Sequence, residues 1–460
     1  MEIKKDIFRA YDIRGIYKQD LDEESFLLIG QAIGKKIIDN SNHRKVCVCM
    51  DGRVSGPPLK HNLIQGLVSM GVDVIDIGML PTPLLYYSLK KLNVENGLMI
   101  TGSHNPSSYN GIKMVINNKT LFDEHIKDLY EYIINNQIIQ SPDKGKISTD
   151  KTVLKSYIKD IVDDVKIDSS LKVCIDCGNG ITGAVARDIF DSINVSFEII
   201  FEDVDGNFPN HPPDPTNEKN LVDLKKAIKK NNADLGFAYD GDGDRICVVT
   251  NQGEILWPDQ LLILYSKDIL ESNPGGKIVY DIKCSKHVEK EITKLSGKAI
   301  LSRTGHSFIK KAIIEENALL GGEMSGHIFF ADRWGGFDDG IYSSMRLLEL
   351  ISKNEDKINI LNTLPQSITT PEINIAFEGN KHFTFMDLFA KLAKFDNASI
   401  IDIDGIKIMY QDCWGLIRCS NTTSNLVLRF EADNEKAMTK IKSIIKKEML
   451  KIDGNLKIPF

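Results

Sequence analysis

The chain of 460 residues is too long for a single hydrophobic core, and its length alone predicts about three domains. With 42% hydrophobic and 26% charged residues it has the composition of a soluble globular protein, and no apolar run reaches the length of a membrane span. Its net charge of −7 gives no reason to expect a nucleic-acid or anionic-membrane partner, so an anionic ligand would need cations concentrated locally.

The amino terminus and the cysteines predict a cytoplasmic protein. Residues 1–6 lack the apolar core of a signal peptide. The eight cysteines are scattered, which is typical of free thiols in a reducing compartment. Cys174 and Cys177 have C-x-x-C spacing, but a zinc site would want a second ligand pair nearby, and none is evident.

In chain order, the first hundred residues alternate between predicted helices and strands. Residues 8–15 have no clear periodicity, and they fit either a solvated edge strand or an arm that places Arg14 over a bound anion. Hydrophobic spacing predicts a helix over 22–38 and a second helix that ends at Gly71. Apolar runs predict buried strands at 46–50, 72–78 and 97–100.

This pattern recurs, because predicted strands end in aspartate at Asp51, Asp176 and Asp281. In each unit a later strand runs into a polar, glycine-containing loop, at 101–106, 240–245 and 322–327. Strands that alternate with helices predict three diverged α/β domains with mainly parallel, mixed sheets. Ligands of such sheets bind beyond the carboxyl ends of the strands, so the three loops are expected to face one central cleft.

The last hundred residues predict a different, α+β domain with a mainly antiparallel sheet. Strands are expected at 372–377, 406–410, 416–419 and 426–430, and helices at 384–395 and 434–450. The predicted domains are therefore 1–150, 151–253, 254–365 and 366–460.

The loop Thr101–Pro106 follows a predicted buried strand, which places Ser103 on an exposed loop at a strand end. An ordinary polar turn is one interpretation. A serine hydrolase fits poorly, because the G-x-S-x-G elbow is absent. A serine that carries a phosphoryl group is the third interpretation, and it requires a metal and cations elsewhere in the chain.

Asp240, Asp242 and Asp244 lie at alternate positions of a glycine-spaced loop. Carboxylates this close repel one another unless a cation lies between them, and hard oxygen ligands favour Mg²⁺ or Ca²⁺. An EF-hand is excluded, since its sixth position would be Arg245 and its twelfth Asn251. A magnesium site completed by a phosphate oxygen fits better, with Arg245 neutralising the same phosphate. The alternative is an acidic surface turn.

Two more loops carry polar groups that suit a phosphosugar. One combines a guanidinium, three hydroxyls and an amide, which together can hold a phosphate: Arg418, Ser420, Asn421, Thr422 and Thr423. The other offers hydrogen-bonding groups for sugar hydroxyls, namely Glu323, Ser325 and His327. For His327, a structural role is as good an interpretation as sugar binding.

These four loops, in this order along essentially the whole chain, resemble those of the α-D-phosphohexomutases. Phe8–Gly15, Glu323-Met324-Ser325, Arg333–Gly340 and Ser420–Thr423 are most similar to the bacterial phosphomannomutase/phosphoglucomutase branch. The phosphoglucosamine mutase branch usually has glutamine at the position of Met324 and a Ser-Gly-Thr phosphate loop.

The resemblance implies a reaction and a set of roles. Ser103 would carry a phosphoryl group and pass it to mannose or glucose 6-phosphate or 1-phosphate, through a bound 1,6-bisphosphate. Mg²⁺ would bridge the three aspartates and an oxygen of phosphorylated Ser103, and glucose or mannose 1,6-bisphosphate would act as activator. Catalytic residues would be Ser103, Lys113 as general base, Arg14, Arg245 and His306. Tyr11 and the Arg418 loop would bind phosphate.

Two alternatives stay open beside this interpretation. One is phosphoglucosamine mutase, and the other is a phosphosugar-binding regulatory protein that has lost turnover. Loss of Ser103, a metal aspartate or Arg418 would have indicated the second, and all are present. The expected partner is a small phosphosugar, with no nucleic acid or membrane, and the expected state is a monomer or weak dimer.

Overall fold

The computed structural model describes residues 3–41, 43–167, 170–193, 195–353, 357–379, 381–420 and 424–460. Four separate sheets divide the described chain, three of them mixed and flanked by helices and the fourth antiparallel. This confirms the predicted fold class. No helix in these ranges combines the length and the apolarity that crossing a bilayer requires.

The first sheet has a parallel centre with antiparallel strands at one side. Its order is β1-β5-β4-β2-β3-β7, with β6 on β5. The helix α1 begins at a capping box formed by Asp22 and Ser25, which satisfies its first backbone N–H groups. The elements are β1 (Ile13–Ile16), α1 (Glu23–Asn40), β2 (Lys45–Met50), α2 (Gly56–Ser69), β3 (Asp73–Met79), α3 (Thr82–Lys91), β4 (Gly97–Ile100), β5 (Tyr109–Ile116), β6 (Lys119–Thr120), α4 (Glu124–Ile134) and β7 (Ile147–Thr149).

The second sheet has the order β12-β11-β10-β8-β9, with parallel pairing among β10, β8 and β9. The antiparallel pair β10 and β11 encloses the aspartate loop at residues 240–245. The elements are α5 (Val153–Asp164), β8 (Lys172–Asp176), α6 (Gly183–Ser192), β9 (Ser196–Ile200), α7 (Val222–Asn231), β10 (Leu235–Tyr239), β11 (Ile246–Thr250) and β12 (Ile255–Leu256). The short strand β12 pairs with β11 at the edge of this sheet.

The third sheet has the order β14-β13-β15-β16. Its elements are α8 (Pro258–Ser272), β13 (Lys277–Asp281), α9 (Lys286–Lys294), β14 (Lys298–Ser302), α10 (His306–Glu316), β15 (Leu320–Gly322), β16 (Ile328–Phe330) and α11 (Gly340–Lys353). The helix α11 also contacts the second sheet, since Ser344 Oγ lies 2.6 Å from the hydroxyl of Tyr239 in β10. The second and third units are therefore held together by a buried contact.

The fourth sheet has the order β17-β22-β21-β20-β19, with β18 also on β22, and every described pairing is antiparallel. Its elements are β17 (Ile368–Thr369), β18 (Ile373–Ala376), α12 (Lys381–Leu392), β19 (Ser399–Ile401), β20 (Ile406–Met409), β21 (Cys413–Cys419), β22 (Asn425–Ala432) and α13 (Glu435–Ile452). The predicted strands and helices of this region are confirmed, whereas β17 and β19 were not predicted, because both are too short to show a period.

The fourth unit packs on the loop that follows β13. Trp414, Leu416 and Ile282 form a buried apolar cluster between the two units. Lys407 Nζ donates hydrogen bonds to the carbonyl oxygens of Ile282 and Cys284, at 2.8 and 3.2 Å. This interface brings Arg418, near the end of β21, to the same cleft as the loops of the other three units.

Candidate active site

A cleft of about 1360 Å³ lies between the four units and is lined by residues from each of them. Among its lining residues are most of the predicted site residues: Tyr11, Arg14, Ser103, Lys113, Arg245, His306, Glu323, Ser325, His327, Arg418 and Ser420. Asn421, Thr422 and Thr423 lie outside the described residues. The cleft also gathers basic side chains, including Arg9, Lys219, Lys283 and Arg429. The cations that an anionic ligand would need are therefore concentrated here, although the whole chain is acidic.

Ser103 lies on the floor of the cleft, in the loop that follows β4. Its Oγ donates a hydrogen bond of 2.8 Å to Asp240 Oδ2, across the junction of the first two units. The prediction of an exposed loop was wrong for this residue, because Ser103 is only 2% exposed. The sequence shows that the chain turns here, but the aspartate loop that covers the turn is more than 130 residues away.

Asp240, Asp242 and Asp244 converge directly behind Ser103. All three are fully buried, and their ligand oxygens lie within 4.8 Å of one another. Oδ1 of Asp242 and Oδ1 of Asp244 have no hydrogen-bond partner in the described part of the chain. Buried carboxylate oxygens without partners and close to each other fit a hard divalent cation, so the residues suit the predicted metal.

Lys113 in β5 reaches the same carboxylates from the first unit. Its Nζ donates a hydrogen bond of 2.7 Å to Asp242 and a second one to Asp244. Burial alone would lower the pKa of Lys113, but these carboxylates raise it well above its usual value. Burial likewise opposes ionisation of Asp242, yet the Lys113 ammonium holds the pKa of Asp242 well below its usual range. The pKa of Asp240 is raised, by burial first and then by Asp242.

Two histidines line the cleft beside this cluster. His327 Nδ1 lies 3.0 Å from Asp338 Oδ2, and Arg245 Nε donates to His327 Nε2 at 3.0 Å. These contacts favour a structural role for His327. His306, at the start of α10, stacks on His327 with ring centroids 5.7 Å apart. Burial, assisted by the charge of Lys310, lowers the pKa of His306 well below its usual value, so this ring is neutral at neutral pH.

Arg14 and Arg418 both line the cleft and have buried N–H groups that are available as hydrogen-bond donors. Arg14 lies in the edge strand β1 and donates to Asn105 Oδ1 at 2.8 Å, and Arg418 Nε donates to Asp404 Oδ2 at 3.1 Å. Arg14 Nε and Arg418 Nη2 are buried without a hydrogen-bond partner among the described residues. Buried donors of this kind fit an anionic ligand such as a phosphate.

Glu323 lies at the end of β15, where the third unit faces the cleft. Its Oε1 accepts a hydrogen bond from the backbone N–H of Gly305, the residue before His306. Gly305 has φ of +136°, a conformation that L side chains rarely adopt, which allows the chain to turn into α10 beneath Glu323. Burial raises the pKa of Glu323. Ser325 Oγ lies 3.5 Å from Glu323 Oε2, so the two groups address the same part of the cleft.

Sequence reasoning missed several residues that shape this site. Lys283 lines the cleft and donates to Glu372 Oε1 at 2.9 Å. Asp338 faces both histidines and also accepts from Lys310 at 2.9 Å. Arg53 holds the Ser103 loop from below. A charged residue just after a buried strand was the available signal for Arg53 and Lys283, but their partners come from distant segments.

Family models match four successive parts of the chain. They are described as the phosphoglucomutase/phosphomannomutase alpha/beta/alpha domains I, II and III and the C-terminal domain of the same family. The matches cover residues 5–138, 155–253, 257–368 and 372–448, respectively.

Curated proteins and a solved structure of the same kind are similar over nearly the full length. A phosphomannomutase/phosphoglucomutase from Pseudomonas aeruginosa is 45% identical, with 99% of this chain and 97% of that protein covered. A phosphoglucomutase from Neisseria meningitidis is 44% identical over 96% of both chains. The crystal structure of a phosphoglucomutase/phosphomannomutase family protein from Burkholderia thailandensis superposes with a TM-score of 0.94, at 39% identity and with both chains fully covered.

Proposed function

Since the chain belongs to the phosphoglucomutase/phosphomannomutase family, we propose that it is a phosphohexomutase that interconverts the 6-phosphates and 1-phosphates of mannose or glucose. The observation that carries the proposal is the hydrogen bond from Ser103 Oγ to Asp240, at the bottom of a cleft rich in guanidinium groups. A serine so placed suits a phosphoryl carrier, because the carboxylates behind it suit a cation and Arg14, Arg245 and Arg418 suit phosphate.

The proposed reaction transfers a phosphoryl group twice. In the first transfer the P–O bond to Ser103 breaks and a P–O bond to the free 1- or 6-hydroxyl of the sugar forms, which gives a bound 1,6-bisphosphate. The bisphosphate then reorients, and its other phosphoryl group returns to Ser103. Arg418, whose Nη2 has no hydrogen-bond partner in the ranges that the structure describes, is proposed to hold whichever phosphate is not reacting.

Protons and charge are handled by the residues around Ser103. The attacking hydroxyl loses a proton, and the Ser103 oxygen gains one as its P–O bond breaks. Lys113, the general base that the resemblance implies, is an ammonium held between Asp242 and Asp244 and has no lone pair to accept a proton. Neutral His306, which lines the same cleft, is therefore the proposed acceptor. Mg²⁺, held by Asp240, Asp242 and Asp244, would neutralise charge on the transferring phosphoryl group. Arg14 and Arg245 are proposed to bind the same group, since positioning and charge neutralisation carry most of the catalysis in phosphoryl transfer.

Glu323 and Ser325 are proposed to contact the 3- and 4-hydroxyls of the sugar. Glucose and mannose are identical at these carbons and differ only at carbon 2. A site that hydrogen-bonds hydroxyls 3 and 4 therefore gains the same energy from both sugars, and strong discrimination would need a polar group committed to the 2-hydroxyl. We propose that both sugars are substrates, that glucose or mannose 1,6-bisphosphate is the activator, and that the enzyme is a cytoplasmic monomer or weak dimer.

Phosphate on Ser103 is the direct test of this function. Protein incubated with glucose 1,6-bisphosphate should gain the mass of one phosphoryl group, and peptide mapping should place it on Ser103. Ser103→Ala should gain no mass and lose most mutase turnover, because no other nucleophile can replace the serine. Ser107→Ala, on an exposed position of the same loop, is the matched control and should behave as wild type. Phosphate on another residue would contradict the assignment.

A further inference from the structure

Arg53 is a buried side chain that lies beneath the cleft and does not line it. It follows β2 and is 1% exposed. Its two terminal nitrogens donate four hydrogen bonds to backbone carbonyls of one loop: from Nη2 to Ser103 and Asn105, both at 2.7 Å, and from Nη1 to Pro106 and Tyr109, at 2.6 and 3.0 Å. Every N–H of the guanidinium is engaged, since Nε donates to Asp51 at 3.2 Å.

Asp51, at the end of β2, holds the other side of the same loop. Its Oδ2 accepts from Thr101 Oγ1 at 2.7 Å and from the backbone N–H of Gly102 at 3.2 Å. Thr101 Oγ1 in turn accepts from the backbone N–H of Ser103 at 2.7 Å. The N–H and the C=O of Ser103 are thus both tied to the Asp51–Arg53 pair, one through Thr101 and the other directly.

The backbone of Ser103 is in a conformation that needs such support. Its φ of +47° lies in the left-handed region, which is disfavoured for residues with a side chain and persists only where the surroundings impose it. Gly102 is packed so tightly on Arg53 that a Cβ there would lie 2.3 Å from the guanidinium carbon. From the other side, the ring of Phe208 in the second unit covers the guanidinium at 5.0 Å.

We propose that Arg53, with Asp51 and Thr101, positions the phosphoryl-carrying serine. These residues fix the backbone of Ser103 so that its Oγ points at Asp240, and they act without touching the substrate. This inference rests on the proposed mutase function. It predicts a loss in the transfer step and not in substrate binding, because a misplacement of the reacting group by about 1 Å can cost on the order of a hundredfold in rate.

Arg53→Lys is the first test, since lysine keeps the charge but has three N–H donors where arginine has five. For bisphosphate-activated enzyme we expect kcat to fall about a hundredfold, while KM changes less than about threefold. Arg346→Lys is the matched control, because Arg346 is 2% exposed, pairs with Asp332 and is not among the residues that line the cleft. It should lower the melting temperature and leave kcat unchanged.

Thr101→Val is the second test, and it removes the hydroxyl between Asp51 and the N–H of Ser103 while both charged side chains stay in place. We expect kcat to fall roughly fivefold to tenfold, as for the loss of the one hydrogen bond that reaches Ser103 directly. If Arg53→Lys does not fold, this variant decides. Wild-type kcat in Thr101→Val, a rise in KM alone, or equal losses of kcat in Arg53→Lys and Arg346→Lys would overturn the proposal.

Hydrogen exchange separates failure of this inference from failure of the proposed function. Amides in peptides that contain residues 101–109 should exchange faster in Arg53→Lys than in wild type, and they should exchange at the wild-type rate in Arg346→Lys. Both expectations hold whether or not the protein is a mutase. Absence of mutase turnover in wild type would refute the proposed function. The exchange rates of these amides would then still test whether Arg53 positions Ser103. Unchanged exchange in Arg53→Lys would overturn that role.

Discussion

Replacing Lys113 with methionine tests the charge balance on the floor of the cleft. The ammonium lies 2.7 Å from Asp242 Oδ2 and also donates to Asp244, and all three groups are buried. Methionine has a similar length but no charge. In the variant these two carboxylates would have lost their common cation, and the nearest contact of Asp240 with a guanidinium, that of Arg245, is longer, at 3.8 Å.

The expected loss of stability is large, because removing one partner of a buried ion pair typically costs about 3–5 kcal/mol. In a cooperative unit of 150–250 residues, which approximates the first two units, 1 kcal/mol corresponds to about 2–4 °C. Lys113→Met should therefore melt roughly 6–20 °C below wild type in chelator. Burial already raises the pKa of Asp240 and Asp244 in the wild-type protein. Because the folded variant holds protons that the unfolded chain releases, its deficit should grow as pH rises above about 4, the ordinary pKa of an aspartate.

Differential scanning calorimetry in chelator and in excess Mg²⁺ measures both effects. Mg²⁺ should raise the melting temperature of Lys113→Met more than that of wild type, since the cation replaces a missing charge. The variant should still lose most mutase turnover. Lys60→Met, which breaks a half-buried pair with Asp76, is the control and should show little shift and no special response to Mg²⁺. An unchanged melting temperature in chelator, or equal Mg²⁺ shifts in both proteins, would refute this reasoning.

Three further outcomes are expected. Arg418→Ala should raise KM for 1-phosphates and 6-phosphates alike, by about tenfold to a hundredfold; a defect at one substrate end would contradict a shared site. Values of kcat/KM for glucose and mannose 1-phosphates should agree within about a hundredfold, and galactose 1-phosphate should be a poor substrate. Glu323→Ala should lower kcat/KM for glucose and mannose 1-phosphates equally. A larger difference between these two substrates in the wild-type enzyme would show that the site distinguishes the hydroxyl at carbon 2. Burial lowers the pKa of Lys407 to about 8. Between about pH 8 and pH 10 the unfolded chain therefore binds more protons than the folded chain, so this lysine makes the free energy of unfolding rise with pH. Melts of Lys407→Met at pH 8–10 should lack that rise, and equal pH slopes in the variant and the wild type would disprove the assignment.

The local pattern of apolar and polar residues predicts much of this fold, because the periods of strands and helices depend on residues that are close in the sequence. The run 97–100 and the run 235–239 form buried strands, and the loops that follow them meet in one cleft as expected. The spacing of Asp240, Asp242 and Asp244 also indicates a chemistry, since three carboxylates in one short loop repel one another unless a cation lies between them.

Contacts between distant segments were beyond the reach of the sequence. The burial of Ser103 depends on Asp240, and the charge state of Lys113 depends on Asp242 and Asp244, all of them in another unit. Nothing in the neighbourhood of Lys113 indicates an ion pair, because the residues around it in β5 are mostly apolar. The sequence did not indicate a role for Arg53 for the same reason, since its hydrogen-bond partners are the carbonyl oxygens of a loop about fifty residues further along the chain.

The docking of the fourth unit on Ile282 through Trp414 and Leu416 has a consequence for the timing of protein synthesis. At about 5–20 residues per second, the ribosome completes the Ser103 loop roughly 15–60 s before it reaches Arg418. By the end of that interval the nascent chain carries the basic walls of a cleft that its last domain has yet to close, and Ile282 lacks its apolar cover until Trp414 has been made. The exposed surface would be most open to chaperones and proteases during these seconds, so substitutions at Trp414 should reduce the yield of folded protein made in cells more than they reduce the activity of the molecules that fold.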